Sequence, residues 1–86
     1  MINEEIRNRI RLSVAAFSYE YQSDSIMSDA EFDALSKKIN PEEETGDSIM
    51  DEFFRTEFEP DTGMWIRNHP KIRGIETLYN KHFKGY

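Results

Sequence analysis

Tyr21-Gln22-Ser23-Asp24-Ser25-Ile26-Met27-Ser28-Asp29-Ala30-Glu31-Phe32-Asp33-Ala34-Leu35 decides how this chain folds. It contains the end of one helix, a short polar loop and the start of another. Ser28 and Glu31 have capping-box spacing, in which each side chain satisfies the other's free backbone N–H. Met27 and Phe32 stand at the two positions of a hydrophobic staple, which sets the angle at which the chain enters the helix. Phe32, Leu35 and Ile39 then form an apolar stripe. Asn40-Pro41 ends it, because a residue before proline is pushed out of the helical region.

Upstream, Ile6, Ile10, Val14, Phe17 and Tyr21 recur at steps of four, four, three and four, which predicts one buried stripe on a helix over Asn3 to Tyr21. Asn3 is the expected N-cap, and Glu4 and Glu5 fall in the first turn, where the helix dipole favours acids. Downstream, Pro41 to Asp47 is an acidic loop containing Gly46. A third helix is expected from Ser48 to about Phe58, with Ser48 and Asp51 as its cap. Glu59-Pro60-Asp61-Thr62-Gly63 is turn chemistry. Met64-Trp65-Ile66 is compatible with a short extended segment, a helical turn or an arm. Asn68-His69-Pro70 predicts the start of a fourth helix with proline at its first position, continued by Ile72, Ile75, Leu78 or Tyr79, and Phe83. The expectation is an all-α fold, a single four-helix domain over residues 1–86. It begins with a helix hairpin and has short loops that favour antiparallel packing.

A chain of 86 residues supports one domain with a thin core, burying about 60–65% of its unfolded surface. The 6 Phe, 4 Tyr and 1 Trp help such a core close and argue against disorder. With no cysteine, disulfides and thiolate zinc sites are excluded. The charged N-terminus MINEEIRNRIRL has no signal-peptide run, and no stretch is apolar enough to span a membrane, so the expected location is the cytoplasm. Nine acids against Arg55 give Asn40–Asp61 a charge of −8 within a total of −6, leaving +2 elsewhere. So acidic a chain is a poor ligand for nucleic-acid phosphates. The acidic segment is first of all a solvated face.

The stretch from Tyr21 to Leu35, with the helix before it, resembles the N-terminal helical domain of NAD-dependent DNA ligases over about residues 3–40. Ser28-Asp29-Ala30-Glu31-Phe32-Asp33 follows that family's second-helix pattern, with Phe32 in place of a tyrosine. The resemblance implies a module that closes over nicotinamide mononucleotide, or the same half of NAD, between two aromatic rings and acidic side chains. Cation–π attraction and carboxylate hydrogen bonds suit that ligand. Carried over by position, the implied ligand residues are Tyr19 or Tyr21, Asp29, Phe32 and Asp33. Glu20 stands at the family's stacking tyrosine, Tyr19 is its neighbour, and the loop is one residue shorter. A ligase's catalytic half needs a Lys-x-Asp-Gly nucleophile, and none of Lys37, Lys38, Lys71, Lys81 or Lys84 begins one. The resemblance therefore implies a shared module without ligase activity. The same residues would also serve a helix hairpin that binds nothing.

Other chemistry is sparse. Asp24, Asp29, Glu31 and Asp33 lack the spacing of a calcium loop. His69 and His82 have no clustered co-ligands for zinc. No Ser-His-Asp arrangement or phosphate-cradling glycine loop is present. The expectation is a non-catalytic binding or accessory module, needing no metal and suited to a phage or prophage protein. Three readings stay open. The first is a protein partner met through the hairpin or the acidic third helix, with Asp51, Glu52 and Trp65 as contact residues; Trp65 serves equally as a core plug. The second is the nicotinamide-nucleotide site. The third is an acidic decoy of a nucleic-acid-binding protein, which requires the Asn40–Asp61 carboxylates to share one face.

Overall fold

The computed structural model of the chain describes residues 3–60 and 62–82. It is an all-α domain of four helices: α1 (Glu4–Gln22), α2 (Asp29–Lys38), α3 (Ser48–Thr56) and α4 (Ile72–His82). A 3-10 helix, Met64–Asn68, lies between α3 and α4, and the described residues include no strand.

α1 starts as expected, with Asn3 Oδ1 accepting the Glu5 N–H at 2.6 Å. Its burial differs from the expected single stripe. Every residue from Leu12 to Ser18 is buried, while Ile10 and Tyr21 are 38% and 45% exposed. The reason is position: α2, α4 and the 3-10 helix all pack on α1, so its middle turns face protein on several sides. Small side chains let those neighbours approach. The hydroxyls among them turn back on the helix, Ser13 Oγ donating to Arg9 O at 2.7 Å and Ser18 Oγ to Ala15 O at 2.8 Å. Ser23 ends α1 in the left-handed region, at φ 50. Beyond it Asp24 is pinned to α4, its Oδ2 accepting the Tyr79 hydroxyl at 2.8 Å.

The α2 capping box is formed on both sides: Ser28 Oγ accepts the Glu31 N–H at 3.1 Å and Glu31 Oε1 accepts the Ser28 N–H at 3.0 Å. Leu35 and Ile39 are buried and Phe32 is half-buried against the same core. α3 is capped by Asp47 rather than Ser48. Asp47 Oδ1 accepts the Met50 N–H at 3.2 Å, and Asp51, the other half of the expected cap, is turned into the protein. α3 stops at Thr56, short of Phe58.

Of the conformations open to Met64-Trp65-Ile66, the structure takes the helical turn, as the start of the 3-10 helix, and not the short extended segment. Trp65 and Ile66 are consecutive and both buried, which a strand covered on one face alone would not allow, because it sends neighbouring side chains to opposite faces. The rings of Phe53, Phe54, Phe58 and Trp65 pack with centroids 5.1 to 6.1 Å apart. α4 begins at Ile72, so Pro70 lies in the turn before it. His69 Nδ1 accepts the Lys71 N–H at 3.0 Å. Phe83 lies outside the described residues. No helix among the described residues is long and apolar enough to cross a membrane.

Candidate functional site

Where α1 and α2 diverge they leave a cavity of about 480 Å³. α1 lines it with Ala15 and, one turn on, with Tyr19 and its neighbour Glu20. α2 lines it with Asp29, Phe32 and Asp33, whose i, i+3, i+4 spacing puts them on one face. The capping box holds that first turn in place. The Ser25–Met27 loop and the Thr62-Gly63 turn complete the wall. Gly63 permits the close approach: a Cβ there would lie 3.4 Å from Ala16 Cβ and 3.6 Å from Phe32 Cζ.

Of the ligand residues implied by the resemblance, the fold brings Tyr19, Asp29, Phe32 and Asp33 to this cavity. Tyr21 lies outside it. Its ring stacks on Phe17, centroids 5.1 Å apart, and the Arg67 guanidinium sits 5.7 Å above it. Arg67 also pairs with Glu20 at 3.2 Å, drawing the carboxylate toward the 3-10 helix. The lining holds three carboxylates, two aromatic rings and the hydroxyls of Tyr19, Ser25 and Thr62, and no lysine or arginine. Lys37 approaches Asp33 to 3.8 Å from outside, with both side chains exposed. Such a lining suits a cationic ring and a polyol, and it offers no cationic side chain to a bare phosphate.

Two of the expected partner-facing residues are corrected. Trp65 is 4% exposed within the ring cluster, where its size closes a thin core. Asp51 is 6% exposed and belongs to a buried ion network. Arg9 is the hub: Nε donates to Glu5 at 2.8 Å, Nη1 to Asp51 at 2.9 Å, and Nη2 to the carbonyls of Asn40 and Glu43 at 2.8 and 3.1 Å. Glu5 in turn accepts the Asn40 N–H, and Asp51 accepts both the N–H and hydroxyl of Thr45. The Thr45 hydrogen bonds, with Arg9 beside them, hold the Asp51 carboxyl below the usual carboxylate range. Glu52 stays at the surface, bridged to Arg55.

The single carboxylate face required of a decoy is thus broken. Asp51 points inward, and Asp47 caps α3 while pairing with Lys71 at 3.0 Å. Hydrogen bonds from Lys71 and from the Met50 N–H lower the Asp47 pKa. Among the described residues no group of three or more His, Asp or Glu is placed to hold a metal ion.

Two signals in the sequence identify what the periodicity missed. The small and apolar run Leu12–Ser18 marks a helix buried on several sides. An arginine flanked by helical acids at Glu5 and, far downstream, Asp51 is a candidate for internal pairing. Comparison with protein-family models, with curated proteins and with solved structures finds no match.

Proposed function

We propose that the protein is a non-catalytic binding module whose α1–α2 cavity takes the nicotinamide–ribose half of a nicotinamide nucleotide. The observation that carries this reading is that Tyr19, Asp29, Phe32 and Asp33 line one cavity, on two helices and with no basic residue among them. A pyridinium ring is attracted to aromatic faces and to the carboxylates around them. Ribose hydroxyls find acceptors in Asp29 and Asp33. The phosphate stays toward solvent, on the side where Lys37 meets Asp33.

Titration of labelled protein with nicotinamide riboside, nicotinamide mononucleotide and NAD tests this by NMR. Saturable shifts confined to Tyr19, Asp29, Phe32 and Asp33, lost in Asp33→Ala, are expected. Absence of shifts at millimolar ligand would refute the reading.

A protein partner is the second reading, favoured by the outer face of α3. There Ile49 is 60% exposed and Glu52 follows one turn later on the same side. Ile49→Lys should abolish partner capture without altering the fold, and unchanged capture would remove this face from consideration.

A further inference from the structure

A second cavity, of about 280 Å³, opens between α1, α3 and α4, away from the groove just described. Its walls are aliphatic and aromatic, from Ile6 and Ile10 on α1, Met50 and Phe54 on α3, and Ile75 and Leu78 on α4. Engineered apolar cavities of about 150 Å³ stay dry and bind benzene, so this one has room for a two-ring molecule or a medium aliphatic chain.

Three observations say what would enter. The charges at its edge are already matched, Arg9 by Glu5 and Asp51, and Lys71 by Asp47. A charged ligand would therefore leave water without a counter-ion to meet it. The second observation is the hydrogen-bond donor of His69. His69 is 6% exposed, borders the cavity and packs edge-on against Phe53. Its Nδ1 accepts the Lys71 N–H, so the proton of the neutral ring sits on Nε2, and no acceptor among the described residues is hydrogen-bonded to it. Burial keeps the ring neutral, its pKa pushed down to about 4.

The third observation is Gly74. It shares a face of α4 with Ile75 and Leu78 and lines the mouth, and a Cβ there would meet nothing within 4 Å. Glycine is among the poorest helix formers, and here it leaves the entrance open.

We infer that this cavity is a second binding site, for an uncharged, mainly apolar small molecule carrying one hydrogen-bond acceptor that the His69 Nε2–H meets.

The neutral naphthyl ketone prodan is a direct probe, titrated against the full chain by fluorescence and by methyl NMR. Saturable blue-shifted emission with shifts at Ile6, Ile75 and Leu78 is expected. Gly74→Leu, which places a side chain across the mouth and improves helix propensity, should remove binding while the protein stays folded by circular dichroism. His69→Phe should weaken the ketone by about three- to tenfold, the worth of one hydrogen bond, and leave ethylnaphthalene unchanged. Four results would each overturn the proposal: no saturable binding, undiminished binding in Gly74→Leu, naphthoate binding as tightly as the ketone, or a concentration-dependent dimer that protects the same methyl groups.

Discussion

Arg9 Nη1 donates to Asp51 Oδ1 at 2.9 Å across 42 residues of sequence, tying the first helix to the third from inside the protein. The same guanidinium holds two carbonyls of the acidic loop. Removing it would leave the buried Glu5 and Asp51 carboxylates without their counter-ion, held only by hydrogen bonds from Asn40 and Thr45. Breaking a buried pair from one side typically costs about 3–5 kcal/mol. Arg9→Met should therefore lower unfolding free energy by roughly that amount in urea titration. Arg55→Met, which removes an exposed bridge, should change it by less than about 1 kcal/mol. Equal effects would show that the Arg9 network is not structural.

His69 makes stability depend on pH. Its folded pKa, about 4, lies below its ordinary value of 6.5 because burial disfavours the imidazolium and Lys71 adds repulsion. Between those values the unfolded chain binds the proton and the folded chain does not, so stability falls as pH is lowered from about 6.5 to 4. At about 1.4 kcal/mol per unit, discounted for water at the cavity mouth, the loss is roughly 2 kcal/mol. The charged groups nearby are Lys71, Asp47 and Arg9. His69→Phe should flatten the slope in denaturant titrations at a series of pH values. Asp51 and Asp47 have depressed folded pKa values, so their contribution is full above the unfolded value and is lost below about pH 4.

The caps allow a sharper comparison. Ser28→Ala breaks the α2 capping box and should cost about 1 kcal/mol. On α3 the larger loss should come from Asp47→Ala, which also loses the Lys71 pair, and Ser48→Ala should be near neutral. Thermal unfolding followed by circular dichroism ranks the three. Ser48→Ala as the worst of them would relocate the α3 cap.

Gly63 sets the wall of the α1–α2 cavity by lying against Ala16 and Phe32. Its φ of −99 is open to any residue, so the constraint is space alone. Gly63→Ala should be tolerated, since the neighbours need give only slightly. Gly63→Val should cost about 1–3 kcal/mol by overpacking and should alter the Phe32 ring signals. A valine variant with unchanged melting temperature and ring shifts would mean that the turn does not close the cavity.

Much of the α1–α2 cavity could be read from residues close in sequence. Asp29, Phe32 and Asp33 share a helix face by spacing, and their position opposite the end of α1 follows from the short loop. Which α1 ring turns toward them could not be read. Tyr19 and Tyr21 differ by two residues and lie on different sides of the helix, and Arg67, from 46 residues downstream of Tyr21, holds that ring on the far side. The contribution of Thr62 and Gly63 was hidden for the same reason, since a turn's chemistry does not say what it packs on.

By itself the sequence determined the helices that local forces specify: the all-α class, the Asn3 cap, the Ser28–Glu31 box, the stop at Asn40-Pro41 and the break around Gly63. These depend on backbone preferences and hydrogen bonds between residues a few positions apart, which spacing encodes directly. Only the tertiary structure decided that α1 is buried on several sides, that Trp65 and Asp51 face inward, that residues 64–68 coil instead of extending, and that His69 meets an apolar cavity. Each depends on which distant surfaces come together, and burial, ion pairing and proton affinity are properties of that assembled environment rather than of any one stretch of chain.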